Sequence, residues 1–184
     1  MFAVLLRYLS FGLLMVLAGI IIERNQLLLA HIVDEMLQVR FMLWEDPWYI
    51  KPSTQPQKIV AYNKEKTASG LIKLVHFSDE KNLAVSVIDN KGSLVHQWPI
   101  NWFDLWPDAE HLLYSRKPKS LPGTMIHGAA ITDNGDLIFN FEYLGMVRLN
   151  ACGKVRWRLA ELSHHSIHLD ENNTIWTSIN AFHH

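Results

Sequence analysis

Histidine is the residue of this chain whose chemistry and spacing invite a functional reading, and ten are present. His164, His165 and His168 share one short stretch with Asp170, His183 and His184 close the sequence, and His127 stands about 37 residues before His164. Imidazole and carboxylate are zinc ligands, so this grouping raises the question of a metal. On an extended strand, however, His165 and His168 point to opposite faces and lack the i, i+4 logic of a helical zinc site, so no metal site is expected. The alternative is that these histidines only hydrogen-bond at the mouth of a hairpin. Arg148 and Arg156 are the nearby cations, and both are expected to be solvated charges on strands.

The elements that position the histidines form a pattern written twice. Aligning Asp133 with Asp170 also pairs His127 with His164, Gly135 with Asn172, and Leu137-Ile138-Phe139 with Thr174-Ile175-Trp176. Each copy is a histidine, an alternating run, a polar turn and a second apolar run, which reads as a β-hairpin. Recurrence at roughly 40 residues points to propeller blades. Between the copies, Leu149 to Trp157 supplies a third strand, a turn and a fourth strand. Ile88 to His96 has the same form, Gly92 matching Gly153 and His96 matching Trp157. Further strands are expected at 58–63, 70–77 and 83–89. The connection 98–121, with Trp102, Trp106, His111 and Arg116, is irregular and either carries function or seals a blade edge.

Composition bounds the rest. The 184 residues are 49% hydrophobic with seven Trp and a net charge of -1, which suits an aromatic-rich all-β domain. No basic stripe stands out, so nucleic acid is not an expected partner. The lone Cys152 excludes an internal disulfide and a cysteine zinc cluster, and it reads as a turn residue. At the N-terminus, Met1 to Ile22 is apolar across the single Arg7. About 22 residues at ~1.5 Å each reach ~33 Å, enough for the hydrocarbon core. With no A-x-A cleavage site after it, the segment reads as an uncleaved signal-anchor, residues 1–24. It places the domain in the periplasm or at the cell exterior. Residues 25–46 keep a helical period as an amphipathic helix, and 47–57 form a linker. The expected fold is therefore all-β: an incomplete propeller of about three blades, residues 58–184, behind a single-pass membrane helix.

The succession GLIKLVHF, VSVIDNKGSLVHQW, HGAAITDNGDLIF, VRLNACGKVRW and HHSIHLDENNTIW resembles the opening of the arylsulfotransferase family. The resemblance covers about residues 70–178, and the order of the elements carries it more than any single motif. Where the family has His-His-Asp and an Asn-Gly turn, this chain has Ser166 after the pair and Glu171-Asn172-Asn173 at the turn. The resemblance implies a six-bladed propeller and ping-pong transfer of a sulfuryl group between phenols through a sulfated histidine. That chemistry needs an imidazole nucleophile, donors for the sulfate oxygens and an acid for the leaving phenolate. By resemblance, His164 and His165 match the family's pair and would position the sulfate, with His127 as a further substrate-binding position. The ligand implied is a phenol or aryl sulfate, with no cofactor. The nucleophilic histidine would lie in a later blade, so the chain is expected to be the N-terminal part of a longer protein and inactive alone. The alternative is a non-catalytic propeller fragment that binds a partner or ligand. No feature of the sequence speaks to oligomeric state.

Overall fold

In a computed structural model of the chain, the described residues are 2–24, 32, 33, 36, 39, 50, 51, 53, 54, 62–78 and 82–180. They divide into two compact units, one of Met1–Pro47 with Leu113–Lys117 and one of Trp48–Leu112 with Pro118–His184. Most of the expected amphipathic helix 25–46, linker 47–57 and strand 58–63 lies outside the described residues, as do His183 and His184. Ile32, Val33, Met36 and Val39, which are described, are helical and exposed.

The first unit contains helix α1, Phe2–Arg24, and a 3₁₀ turn at Tyr114–Arg116. Leu13 to Leu17 are five consecutive apolar residues, each at least 47% exposed, so at 3.6 residues per turn the helix is apolar on every side. Among the described residues no helix is long and apolar enough to cross a membrane.

Among the described residues of the second unit, nine strands form three antiparallel sheets in which sequence neighbours pair. Sheet one is β1 (Ile72–Phe77), β2 (Leu83–Ile88) and β3 (Leu94–Ile100). Sheet two is β4 (Ile126–Ile131), β5 (Leu137–Phe141), β6 (Gly145–Leu149) and β7 (Val155–Leu159). Sheet three is β8 (Ser163–Leu169) with β9 (Ile175–Ile179). The all-β expectation therefore holds for this unit: the strands expected at 70–77 and 83–89 appear as β1 and β2, and 88–96 is the end of β2, a turn and the start of β3.

Sheet two lies in the middle. All five residues of β5 are buried, which only a strand covered on both faces permits. Its Leu137, Phe139 and Phe141 face sheet one and join Leu83, Val85, Val87, Trp98 and Ile100 in the core. Its Asn140 faces sheet three, donating to the His165 carbonyl. The connection after β3 forms a one-turn helix, α2 (Trp102–Leu105), because Asn101 caps it: Asn101 Oδ1 accepts from Phe103 N at 2.9 Å. Trp102 and Trp106 are 2% and 8% exposed, and Trp102 meets Phe141 edge-on at 5.0 Å. The aromatic connection therefore seals the core. Trp98 Nε1 also donates to the Asn150 carbonyl at 2.9 Å, tying β3 to the β6–β7 turn.

Four turns share one construction. At Asp89, Thr132, Asn150 and Asp170, the N–H of residue i donates to the carbonyl of i+4, and the N–H of i+3 donates back to the carbonyl of i. The i+3 residue takes positive φ, at Gly92 (86°), Gly135 (79°), Gly153 (77°) and Asn173 (60°), which explains glycine or asparagine there. The side chain of residue i closes the turn: Asp89, Asn150 and Asp170 each accept two backbone N–H groups, and Thr132 Oγ1 accepts Asp136 N at 3.0 Å. This corrects the alignment of the repeat by one residue. Asp170 is the counterpart of Thr132 rather than Asp133, Gly135 matches Asn173 rather than Asn172, and His127 matches His165 rather than His164. The pairing of Gly92 with Gly153 holds. Cys152 is an exposed turn residue, as expected.

Candidate functional site

Bulges aim the histidines. The β4–β5 register shifts between Ile126 and Gly128, leaving His127 out of the ladder. The β8–β9 register shifts between His164 and Ile167, with His165 at φ 61°. A bulge re-aims the side chain it carries, and here the two repeats use it at the same position. It also undoes the simple strand alternation expected between His165 and His168.

The rings converge. His127 and His165 meet edge-to-face with centroids 4.9 Å apart, and His165 meets His164 at 4.4 Å. The Tyr143 ring lies 4.8 Å from His164, its backbone at φ 57° and its N–H donating to the Ser163 carbonyl at 3.0 Å. Glu142 Oε1 stands 3.4 Å from His127 Nδ1. His164 Nδ1 is buried and finds no hydrogen-bond partner among the described residues. The three histidines singled out in the sequence are thus brought together, joined by an acid and a phenol from the β5–β6 turn that the sequence did not suggest.

Two further residues hold this arrangement. Asn140, fully buried, accepts from Gly128 N at 2.7 Å and donates to the His165 carbonyl at 3.0 Å, so one side chain fastens both bulges. Leaving such buried groups unpaired costs ~1–3 kcal/mol each. The sequence signal for it was an amide inside the otherwise apolar run Leu137–Phe141. Gly128 is required by contact, because a Cβ there would run into the His165 carbonyl oxygen and lie 3.0 Å from Ile167 N. From sheet one, Lys73 Nζ donates to the Ala129 carbonyl. Lys73 is exposed overall, yet the crowding of its head group desolvates the ammonium and pulls its pKa below the ordinary lysine value.

The ring pairs meet edge-to-face, at 83° and 79°. Among the described residues no group of three or more His, Cys, Asp or Glu side chains is placed to hold a metal ion. The arrangement can instead donate hydrogen bonds to an anion and exchange protons, with Glu142 and Tyr143 alongside. Two open clefts of about 330 and 260 Å³ lie elsewhere, one against Pro99, Ile100 and Asp104 and one at the turns around Asp133, Arg148 and Asn173.

Arg148 is not the freely solvated charge expected. Its Nε and Nη2 reach Asp136 Oδ2 at 2.9 and 2.8 Å, and Asp136 is only 5% exposed, so the pair is a structural clamp beneath the β4–β5 turn. Arg156, 57% exposed, approaches the same oxygen at 3.8 Å. His168 lies on β8 opposite Trp176. No protein-family model matches the chain, and no curated protein matches it at a significant level.

Proposed function

We propose that the second unit is an arc of three propeller blades, anchored to a membrane by residues 1–22 and facing the periplasm or cell exterior. Its histidine cluster handles the sulfuryl group of an aryl sulfate, in the manner of the arylsulfotransferases that the sequence resembles. Three features support the arc. The sheets are sequential meanders, the first strand of each is next to the first strand of its neighbour, and the middle sheet is covered on both faces. Lys73 of β1 touches β4, and Gly128 of β4 touches β8. In a propeller these first strands line the central axis. The membrane reading draws on the apolar surface around all of α1, since a helix hydrophobic on every side belongs in a core or a bilayer.

The single observation that carries the site is the meeting of His127 with His165 at 4.9 Å, one from each repeat, both at bulges. Imidazole N–H groups there are donors suited to sulfate oxygens, and Glu142 or Tyr143 is an acid within the same cluster. Sulfuryl transfer itself further requires a nucleophilic histidine, which the resemblance assigns to a later blade. Binding is therefore the property that tests this cluster directly.

The test is binding of 4-nitrophenyl sulfate to the full chain in mild detergent, followed by histidine-ring NMR and calorimetry alongside release of 4-nitrophenol. Binding that perturbs His127, His164 and His165 and weakens about tenfold or more in His165→Ala, with no phenol released, supports the reading. Unchanged affinity in His127→Ala, His164→Ala and His165→Ala at unchanged melting temperature overturns the site. Turnover abolished by His164→Ala or His165→Ala would overturn the expectation that the chain is inactive.

A further inference from the structure

The histidine cluster holds more imidazole than its own acid can balance. His165 stands at the centre, its ring 4.9 Å from that of His127 and 4.4 Å from that of His164, so a proton gained by one ring opposes a proton on the next. Rings this close titrate as a group rather than singly. One carboxylate, Glu142, meets them, with Oε1 3.4 Å from His127 Nδ1, and the Tyr143 ring beside His164 brings a hydroxyl. The cations packed on these elements are engaged with backbone: Lys73 of β1 donates to the Ala129 carbonyl, and Arg158 of β7 donates to the Leu105 carbonyl at 2.6 Å. His111 Nε2 stands 2.7 Å from the Leu144 carbonyl. Glu161, ahead of β8, is exposed, and β5 presents the neutral Asn140. Across from β8, β9 sets Ser178 opposite His164 and Thr177 opposite Ile167, and His168 further along lies opposite Trp176. His164 Nδ1 has no hydrogen-bond partner among the described residues, while His127 and His165 are exposed and open to a small ligand.

We propose that an oxyanion binds this cluster together with a proton, so that occupancy of the site is set by pH. The inference rests on the sulfate-binding reading above and adds the regulation of that same site. Without a ligand, the Glu142 carboxylate can offset one imidazolium, and a second would face the first across these ring contacts with no further acid to relieve it. A sulfate monoester brings the missing negative charge, and its oxygens accept from imidazole N–H groups. Binding then draws one proton from solvent, and two negative charges face two imidazolium rings. A charged ring donates from both nitrogens, and the unpartnered His164 Nδ1 surrenders no existing hydrogen bond on gaining a proton. The coupling is reciprocal: the anion raises the affinity of the cluster for the proton by the factor by which the proton raises its affinity for the anion. The sign follows from that. Binding is strongest where the extra proton is already present, and it weakens as pH rises through the ordinary histidine range around ~6.5 and beyond.

The experiment mixes the full chain in mild detergent with 4-nitrophenyl sulfate, a monoanion that does not itself titrate between about pH 5 and 9. A pH-stat counts protons while calorimetry gives the affinity, and hydrolysis would release protons rather than consume them. At about pH 7.5 at least half a proton should be taken up per ligand bound, and the dissociation constant should rise at least threefold per unit above about pH 7. His165→Asn removes the central imidazole while keeping a donor and a side chain suited to the φ of 61°. His127→Gln is the second neutral replacement, on the other sheet. Both should cut the uptake by half or more and flatten the dependence of affinity on pH. Binding that perturbs the three rings with no proton uptake, at a dissociation constant that stays level from about pH 6 to 8, would overturn the coupling and leave the site standing. Uptake that persists unchanged in both variants would place the proton elsewhere and overturn its assignment to the cluster. Absence of binding at every pH from about 5.5 to 8 would overturn the coupling and the reading of the site together.

Discussion

Gly128→Ala is the smallest change that tests whether β4 and β8 touch where the histidines meet. The new methyl group would collide with the His165 carbonyl oxygen and stand 3.0 Å from Ile167 N and 3.1 Å from the Ser166 Cα. All three neighbours are backbone, so no side-chain rotation relieves the clash. Relief must come from moving β8, which also strains the 2.7 Å bond from Gly128 N to Asn140 and the 3.0 Å bond from Asn140 to His165. Overpacking costs ~1–3 kcal/mol, and weakening a buried hydrogen bond adds ~1 kcal/mol. The expected loss is therefore ~3 kcal/mol, a drop in Tm of roughly 10 °C for a unit of this size. Gly153→Asn is the control: that position also has positive φ, at 77°, meets nothing within 4 Å, and matches the site where the last turn already carries Asn173. Urea denaturation followed by tryptophan fluorescence, with ring contacts read by NMR, measures both. If Gly128→Ala unfolds within ~0.5 kcal/mol of the control, the strands do not meet and the histidine cluster does not exist as described.

Asn140→Leu should cost ~1–4 kcal/mol, because it leaves the buried Gly128 N–H and the part-buried His165 carbonyl without this partner, and its effect should not add to that of Gly128→Ala. Arg148→Met should destabilise by ~1–3 kcal/mol in urea titrations, less than a fully buried pair would, since Arg148 is 26% exposed while Asp136 is 5%. Asp89 and Asp170 are held below the ordinary carboxylate value of 3.8, first by the N–H groups of Ser93 and Thr174 respectively. A depressed folded-state pKa gives stability that is complete above the unfolded value and lost as pH falls through the folded one. Denaturant midpoints should therefore fall on acidification below about pH 4, and more weakly in Asp170→Asn. Protein expressed from the full sequence should sediment with membranes, resist carbonate extraction and begin at Met1; a soluble form starting beyond Ile22 would refute the anchor.

Strands and turns were legible because their signals are local. The runs Ile72–Phe77, Leu83–Ile88 and Leu137–Phe141 alternate or stay apolar, and Asp89, Asn150 and Asp170 announce turns through side chains that accept N–H groups two and four residues on. The repeat was placed one residue out because its first copy is closed by the Thr132 hydroxyl, which looks unlike the Asp170 carboxylate while doing the same work. The bulges at His127 and His165 were hidden for another reason. Each is imposed by a contact with the other sheet, through Gly128 and Asn140, and a strand read singly contains no trace of its neighbour. The Arg148–Asp136 clamp needed the β5–β6 register, in which Ile138 faces Arg148 and so brings Asp136, the residue just before β5, within reach.

The shared turn also bears on how such a molecule assembles and how it arose. Every hairpin it closes joins neighbours in sequence, so each meander can zip up quickly without waiting for distant chain to arrive. Only the later docking of one meander against the next, through contacts such as Trp98 with Asn150 or Asn140 with His165, bridges more than a few dozen residues or joins separate sheets. A unit that folds locally and docks weakly can be copied in a gene without rewriting the rest. The copies then remain free to drift everywhere except at the turn and at the docking points, which is the pattern of likeness and divergence between the Thr132 and Asp170 hairpins.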